Sequence, residues 1–229
     1  MARAPRGSTK DGVFHVINRG NDRRALFDGP DDYDAFVALM TRALSKFGMR
    51  VLAFCLMPNH WHMVLWSRAD LDLGRFLGWI AQVHAQRLRR RDGTTGEGHV
   101  YQDRFHSFRI DGDEHYLTVC RYVERNALAA DLVGAAEDWN WCSLRRRCVG
   151  VTDDLLTPWP CGTPSDWLEN VNGDALSPDL NALHPRGKRG RPRRKSESVA
   201  VSPPRRAESS GSTAAQPVSA ASSSASSTS

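Results

Sequence analysis

The chain has 229 residues, 40% of them hydrophobic, enough for one sizeable folded domain with additions. Its formal charge of +5 is unevenly spread: from residue 184 onward nine Lys and Arg stand against two Glu, a local +7 that leaves the body at −2 and removes net charge as a reason for the folded part to bind anions. No apolar run reaches a membrane span, the basic N-terminus lacks the apolar stretch of a signal peptide, and five cysteines without CxxC spacing argue for reduced thiols in a cytoplasm over a disulfide frame or zinc ribbon.

In chain order, VFHVINRG at residues 13–20 is β-branched and aromatic and stops at a glycine, the pattern of a strand. PDDYDAFVALMTRALSKFG opens with Pro and Asp, sets Tyr33, Phe36, Val37, Met40 and Leu44 at helical spacing, and is expected to end near Gly48. MRVLAFCLM reads as a buried strand halted by Pro58-Asn59, with HWHMVLW returning as the next strand across a hairpin-like bend. Residues 70–91 predict a second amphipathic helix closed by a DGTTGEG loop, FHSFRI predicts a fourth strand, and residues 111–133 predict a third helix with acidic residues in its first turn. The order β-α-β-β-α-β-α predicts the α+β class: a ferredoxin-like split βαβ sandwich, an antiparallel sheet with helices on one face, plus an added helix. Residues 1–12 are expected to be a flexible N-terminus, 13–145 the domain, 146–183 an irregular Trp- and Pro-rich extension wrapped around it, and 184–229 a disordered tail, basic and then Ser/Ala-rich.

The stretch MPNHWHMVLW raises the chemical question, because imidazole is a common metal ligand and a poor core filler. In a strand His60 and His62 point the same way, roughly 6–7 Å apart along the backbone, while Trp61, Met63 and Leu65 face the core. That geometry suits two ligands of one metal, although two satisfied structural histidines remain the plain alternative. Two histidines rarely suffice, and Met63, Val64 and Leu65 exclude an HxHxDH continuation. Tyr122 and Asn126 are four apart, one turn along the same helical face. If that face packs over the histidine strand, the Asn126 carbonyl can complete a metal shell and the Tyr122 hydroxyl can share the cavity as a nucleophile. Tyr116 lies on another face of the helix and reads as core; Tyr33 and Tyr101 read as packing or base-stacking residues, and His106 and His115 as structural, with phosphate contact or proton transfer as the alternative for His106.

MPNHWHMVLW together with RYVERNALAADLV resembles the single-tyrosine HUH transposases, in particular the REP-associated tyrosine transposases. FHVINRGNDRRALFDGPDDYDAFV is similar to that family's first strand and helix, GHVYQDRFHSFRI to its segment before the tyrosine helix, and WNWCS to a following aromatic-Ser motif, so the likeness spans about residues 13–145. The resemblance implies a metal-dependent endonuclease and strand transferase acting on single-stranded or hairpin DNA through a 5′-phosphotyrosine, in a bacterial cytoplasm at the nucleoid, as monomer or homodimer and without a membrane. It implies His60, His62 and Asn126 as ligands of Mg²⁺ or Mn²⁺ and Tyr122 as nucleophile; His ligands alone would also suit Zn²⁺. One departure is Ala127 where the family has Pro after the asparagine, which lets the helix run on further.

Arg19, Asn21 and Arg23, with Asn18 and Arg24, resemble the family's RGN segment and are candidates for gripping DNA, with solvated loop charges as the alternative. QRLRRR is either a solvated helix end or a phosphate track. In the tail, Arg189-Gly190-Arg191-Pro192 resembles an AT-hook core, against a generic phosphate-binding arm. Two readings from other classes stay open at this stage: a DNA-binding protein descended from a transposase that no longer cuts, and a metal-dependent phosphoesterase in which Tyr122 is structural.

Overall fold

In the computed structural model, which describes residues 12–68, 73–94, 98–151, 154–173 and 183, the chain begins with strand β1, Gly12–Arg19. Helix α1, Pro30–Phe47, starts on a proline whose missing N–H would be unsatisfied there anyway, and it stops at Gly48 with φ 63, ψ 22. Strands β2, Arg50–Met57, and β3, His60–Ser67, are joined by the Pro58-Asn59 turn. Helix α2, Leu73–Arg91, strand β4, His106–Ile110, and helix α3, Asp113–Glu124, complete the expected order. The strands lie in the order β2-β3-β1-β4, every neighbour antiparallel, which is the split βαβ arrangement of the α+β class.

Period-two alternation gives this sheet two differently used faces. One buries Phe14, Val16, Phe54, Trp61, Met63 and Leu65 under α1 and α2. The other turns Ala53, Cys55 and Val64 toward Val119, Cys120 and Val123 of α3. The added helix therefore covers the face that α1 and α2 leave open, and it is the face that carries both histidines.

The third helix is shorter than its sequence pattern suggests. It breaks at Arg125, and helix α4, Asn126–Ala129, adds one turn before Asp131 enters the left-handed region at φ 54. The Leu132 N–H then folds back onto the Ala127 carbonyl at 3.0 Å, a closure that ends the helix whatever the propensity of Ala127. Alanine at 127 carries the helical path one turn past Asn126 and no more.

Strand β2 is an edge strand, and the tryptophan-rich segment closes it. Trp139 Nε1 donates to Leu56 O at 2.8 Å, Trp159 Nε1 donates to Leu52 O at 2.7 Å, and Leu56 N donates to Trp141 O at 3.0 Å. Ser143, first residue of α5 (Ser143–Cys148), accepts from Phe54 N at 3.0 Å. Helix α6, Trp167–Asn172, packs on α3. The five cysteines are free, and among the described residues no helix is long and apolar enough to cross a membrane. Arg189, Arg191 and the rest of the tail lie outside the described residues.

Candidate active site

Register along the sheet assembles the site. His62 pairs with Ile17 of β1 and Cys55 of β2, and His60 pairs with Arg19 and Met57 at the same end of the sheet. The His60 and His62 rings stand 5.0 Å apart between centroids and at 79° to one another. Burial, with the Arg19 cation adding to it, lowers the His60 pKa from 6.5 to about 4 against a hydrogen bond to the Asn126 side chain that raises it. At neutral pH the ring is therefore uncharged, the form that can donate a lone pair to a metal. His60 Nδ1 lies 2.7 Å from Asn59 Oδ1; an amide oxygen only accepts, so Nδ1 carries the proton and Nε2 keeps its lone pair. Asn59 also donates from Nδ2 to Arg23 O, which ties the turn to the loop after β1.

The sequence reading missed a third histidine. His15, fully buried on β1, sets its Nε2 3.0 Å from His62 Nδ1, with the two rings stacked at 5.2 Å. For His62 to present its Nε2 lone pair, Nδ1 must carry the shared proton and His15 must accept it, so His15 is placed to fix both tautomer and ring orientation. Nothing local in VFHVINRG signals this role, because it depends on the register of β1 against β3.

Tyr122 projects from α3 onto this group. Its ring centroid lies 5.5 Å from that of His62 and 6.0 Å from that of His15, both edge-on. Asn126 follows one turn later and bonds the His60 ring. Tyr116 is elsewhere: it is 4% exposed, packs edge-on to Trp159 at 5.4 Å, and burial drives its hydroxyl pKa far up. Tyr33 stacks on Trp141 at 4.0 Å, and the Tyr101 hydroxyl lies between Trp61 Nε1 and His84 Nδ1, so both are packing residues. His115 contacts the Leu183 carbonyl at 2.9 Å, while exposed His106 stands on β4 opposite Ile17.

Of the loop cations, Arg19 alone joins the site: it is the cross-strand neighbour of His60, and its buried Nε has no hydrogen-bond partner. Gly20 follows because a Cβ there would come within 2.5 Å of Arg24 O, which no side chain tolerates. Asn21 and exposed Arg23 lie in the adjoining 3₁₀ turn, with Asn21 Nδ2 bonded to Asp22. Arg24 is held by Asp92 at 2.5 Å, and Arg91 at the end of α2 by Asp28, Asp32 and Asp92, so these two brace the loops. A groove of about 990 Å³ follows α2, lined by Asn18, Arg75, Gln82, Arg89, Gln102 and Arg104. A smaller hollow of about 230 Å³ shares Asn18, Gln102 and Arg104 with it and reaches Arg19 and His106.

The donor chemistry accommodates a divalent ion. Two imidazoles and an amide oxygen are suitable ligand types, and no group of three His, Cys, Asp or Glu side chains stands close enough among the described residues to make a closed all-protein cage. An uncharged ligand set of this kind leaves the ion's charge for an anionic substrate.

A family model described as "Transposase IS200 like" matches residues 8–126. Among solved structures, the fold is similar to that of a REP-associated tyrosine transposase bound to a REP hairpin, at 17% identity, with 80% of this chain and 96% of that chain covered and a TM-score of 0.59. A more distant similarity is to a Deinococcus radiodurans R1 protein assigned as a transposase, at 17% identity, 54% and 96% coverage and a TM-score of 0.38. Comparison with curated proteins finds no match.

Proposed function

The chain belongs to the IS200-like transposase family, and we propose that it is a metal-dependent single-stranded DNA endonuclease and strand transferase of the REP-associated kind, with Tyr122 as its nucleophile. The observation that carries this reading is the packing of Tyr122 against His62 and His15 while Asn126, one turn on, bonds His60. The Tyr122 oxygen attacks the scissile phosphorus in line. A Tyr–O–P bond forms, the P–O3′ bond breaks, and the strand is released with a free 3′-hydroxyl. One phosphoester replaces another, so the 3′-hydroxyl of a second strand can reverse the step without an external energy source.

When bound, a divalent ion such as Mg²⁺ or Mn²⁺ supplies the charge that polarises a non-bridging phosphate oxygen. His60 and His62 would hold it through imidazole nitrogens and Asn126 through its amide oxygen, with His15 bonded to His62 and fixing that ring. Arg19 adds a cation within reach of the same phosphate, and the groove lined by Arg75, Arg89 and Arg104 gives an unpaired strand a basic path away from the site. The fold neighbour was solved with a REP hairpin, and hairpin-bearing single-stranded DNA is the substrate class we extend to this chain. Because the tyrosine packs on histidines of its own chain, a monomer carries the complete set.

Incubating labelled single-stranded hairpin DNA with Mn²⁺ and the wild-type, His60→Ala and His62→Ala chains tests the reading. Cleavage by the wild type that stops with chelator and in both variants, with hairpin binding retained, is the expected result. Cleavage that survives chelation or both substitutions would remove the histidines from the mechanism.

A further inference from the structure

Tyr122 and Asn126 face the histidines from one side of α3; Glu124, between them in sequence, faces the other way and is fully buried. A carboxylate at such a position is costly to bury, and an apolar residue would pack there as well. Its surroundings show what the polar group does. Glu124 Oε1 lies 2.5 Å from Ser143 Oγ, and Oε2 accepts from Trp167 Nε1 at 2.7 Å. Ser143 Oγ in turn accepts from Phe54 N, on β2, and Phe54 is paired with Met63 of the histidine strand. One side chain of α3 is thus bonded to α6, to the start of α5 and, through it, to the sheet that carries His60 and His62. Arg147 Nε stands 3.6 Å away, an ion-pair distance longer than a hydrogen bond.

Two further side chains of α3 and its end grip the same segment. Arg121 donates from Nε to Asn170 O at 2.7 Å and from Nη2 to Gly173 O at 3.0 Å, and Arg125 Nη1 donates to Val171 O at 2.7 Å. These are the carbonyls that the end of α6 leaves without helical partners, the natural targets of cations. Apolar contacts alone would let α3 roll about its axis, whereas directed hydrogen bonds from Glu124, opposite Tyr122, and from Arg121 and Arg125, to the side of it, fix its rotation.

We propose that Glu124, held by Ser143 and Trp167, is a positioning residue for Tyr122 and Asn126, and that the segment from Ser143 to Gly173 is thereby a working part of the reaction centre. This rests on the reading of Tyr122 as nucleophile. A displacement of the order of 1 Å at a reacting oxygen lowers a rate by about a hundredfold, so the brace acts on the chemical step at saturating DNA and leaves hairpin affinity in place.

The test uses the full chain with Mn²⁺ and a hairpin oligonucleotide, and reads three quantities for each variant: the adduct-forming rate at saturating DNA, hairpin Kd, and thermal midpoint. Glu124→Ala and Trp167→Phe, the latter keeping a ring but losing the donor, are expected to lower the rate about tenfold or more with Kd changed by less than about twofold. Glu124→Gln is expected to restore the rate to within about threefold, since its amide can donate to Ser143 Oγ and accept from Trp167. If Glu124→Ala fails to fold, Trp167→Phe and Glu124→Gln decide. A wild-type rate in folded Trp167→Phe overturns the proposal, as does an equal loss in Glu124→Gln and Glu124→Ala, or a loss of affinity in parallel with rate. Absence of any adduct in the wild-type chain would instead overturn the nuclease reading, and this inference with it.

Discussion

At the scale of single residues, the site depends on imidazoles turned by hydrogen bonds, with His60 kept neutral chiefly by burial. His15 is the clearest case, since it touches His62 and, on the proposed reading, would act on a bound metal only through that ring. Replacing it with Ala is expected to weaken Mn²⁺ binding about 10–100-fold, the usual effect of losing such a partner, with the fold retained. Isothermal titration of the two chains checks this, and equal affinities would remove His15 from the site. Neutral histidines also set the acid stability. His60 is lowered to about 4 by burial and Arg19, and His84, buried in the α1/α2 core, is lowered to about 3 chiefly by burial. The unfolded chain protonates both near pH 6.5, so unfolding takes up protons below that value. Stability from these groups is full above about pH 6.5 and falls below it at about 1.4 kcal/mol per pH unit for each, the loss ending near pH 4 for His60 and near pH 3 for His84. Thermal midpoints measured across this window should decline, with a shallower slope in His84→Leu; a flat profile would mean that neither histidine is buried neutral. The His60-Trp61-His62 triplet was legible in the sequence because strand alternation alone puts two side chains on one face. His15 was not, because its meeting with His62 is a matter of register between strands 47 residues apart.

At the scale of elements, the four strands and first two helices could be read from local pattern. Pro30 and Gly48 bracket α1, and Pro58-Asn59 supplies the bend between β2 and β3. What could not be read is what closes the edge of β2. The indoles of Trp139 and Trp159 and the hydroxyl of Ser143 bond that strand's backbone, and such pairings leave no periodic trace in WNWCS or its surroundings. The early end of the helical path after Ala129 was hidden for a related reason, since it depends on the left-handed Asp131 and a returning backbone bond. The edge closure carries stability: Trp159, 6% exposed, donates to Leu52 O and supports the Arg147 cation at 4.8 Å. Trp159→Ala is expected to cost about 3–5 kcal/mol in denaturant unfolding. A loss below about 1 kcal/mol would mean that the edge is held by other contacts.

At the scale of the whole molecule, the sheet separates two tasks. Its α1/α2 face holds the apolar core, and its α3 face holds His15, His60, His62, Tyr122 and Asn126 at the end where Arg19 and the basic groove meet. The folded body is close to neutral in net charge, so its attraction for DNA rests on that local cluster. The most direct measurement of this account is denaturing gel electrophoresis of labelled single-stranded hairpin DNA after incubation with Mn²⁺ and either the wild-type chain or Tyr122→Phe. A slow-migrating covalent adduct is expected with the wild type and none with Tyr122→Phe. An adduct that persists in Tyr122→Phe, or cleavage by the wild type without any adduct, would contradict it.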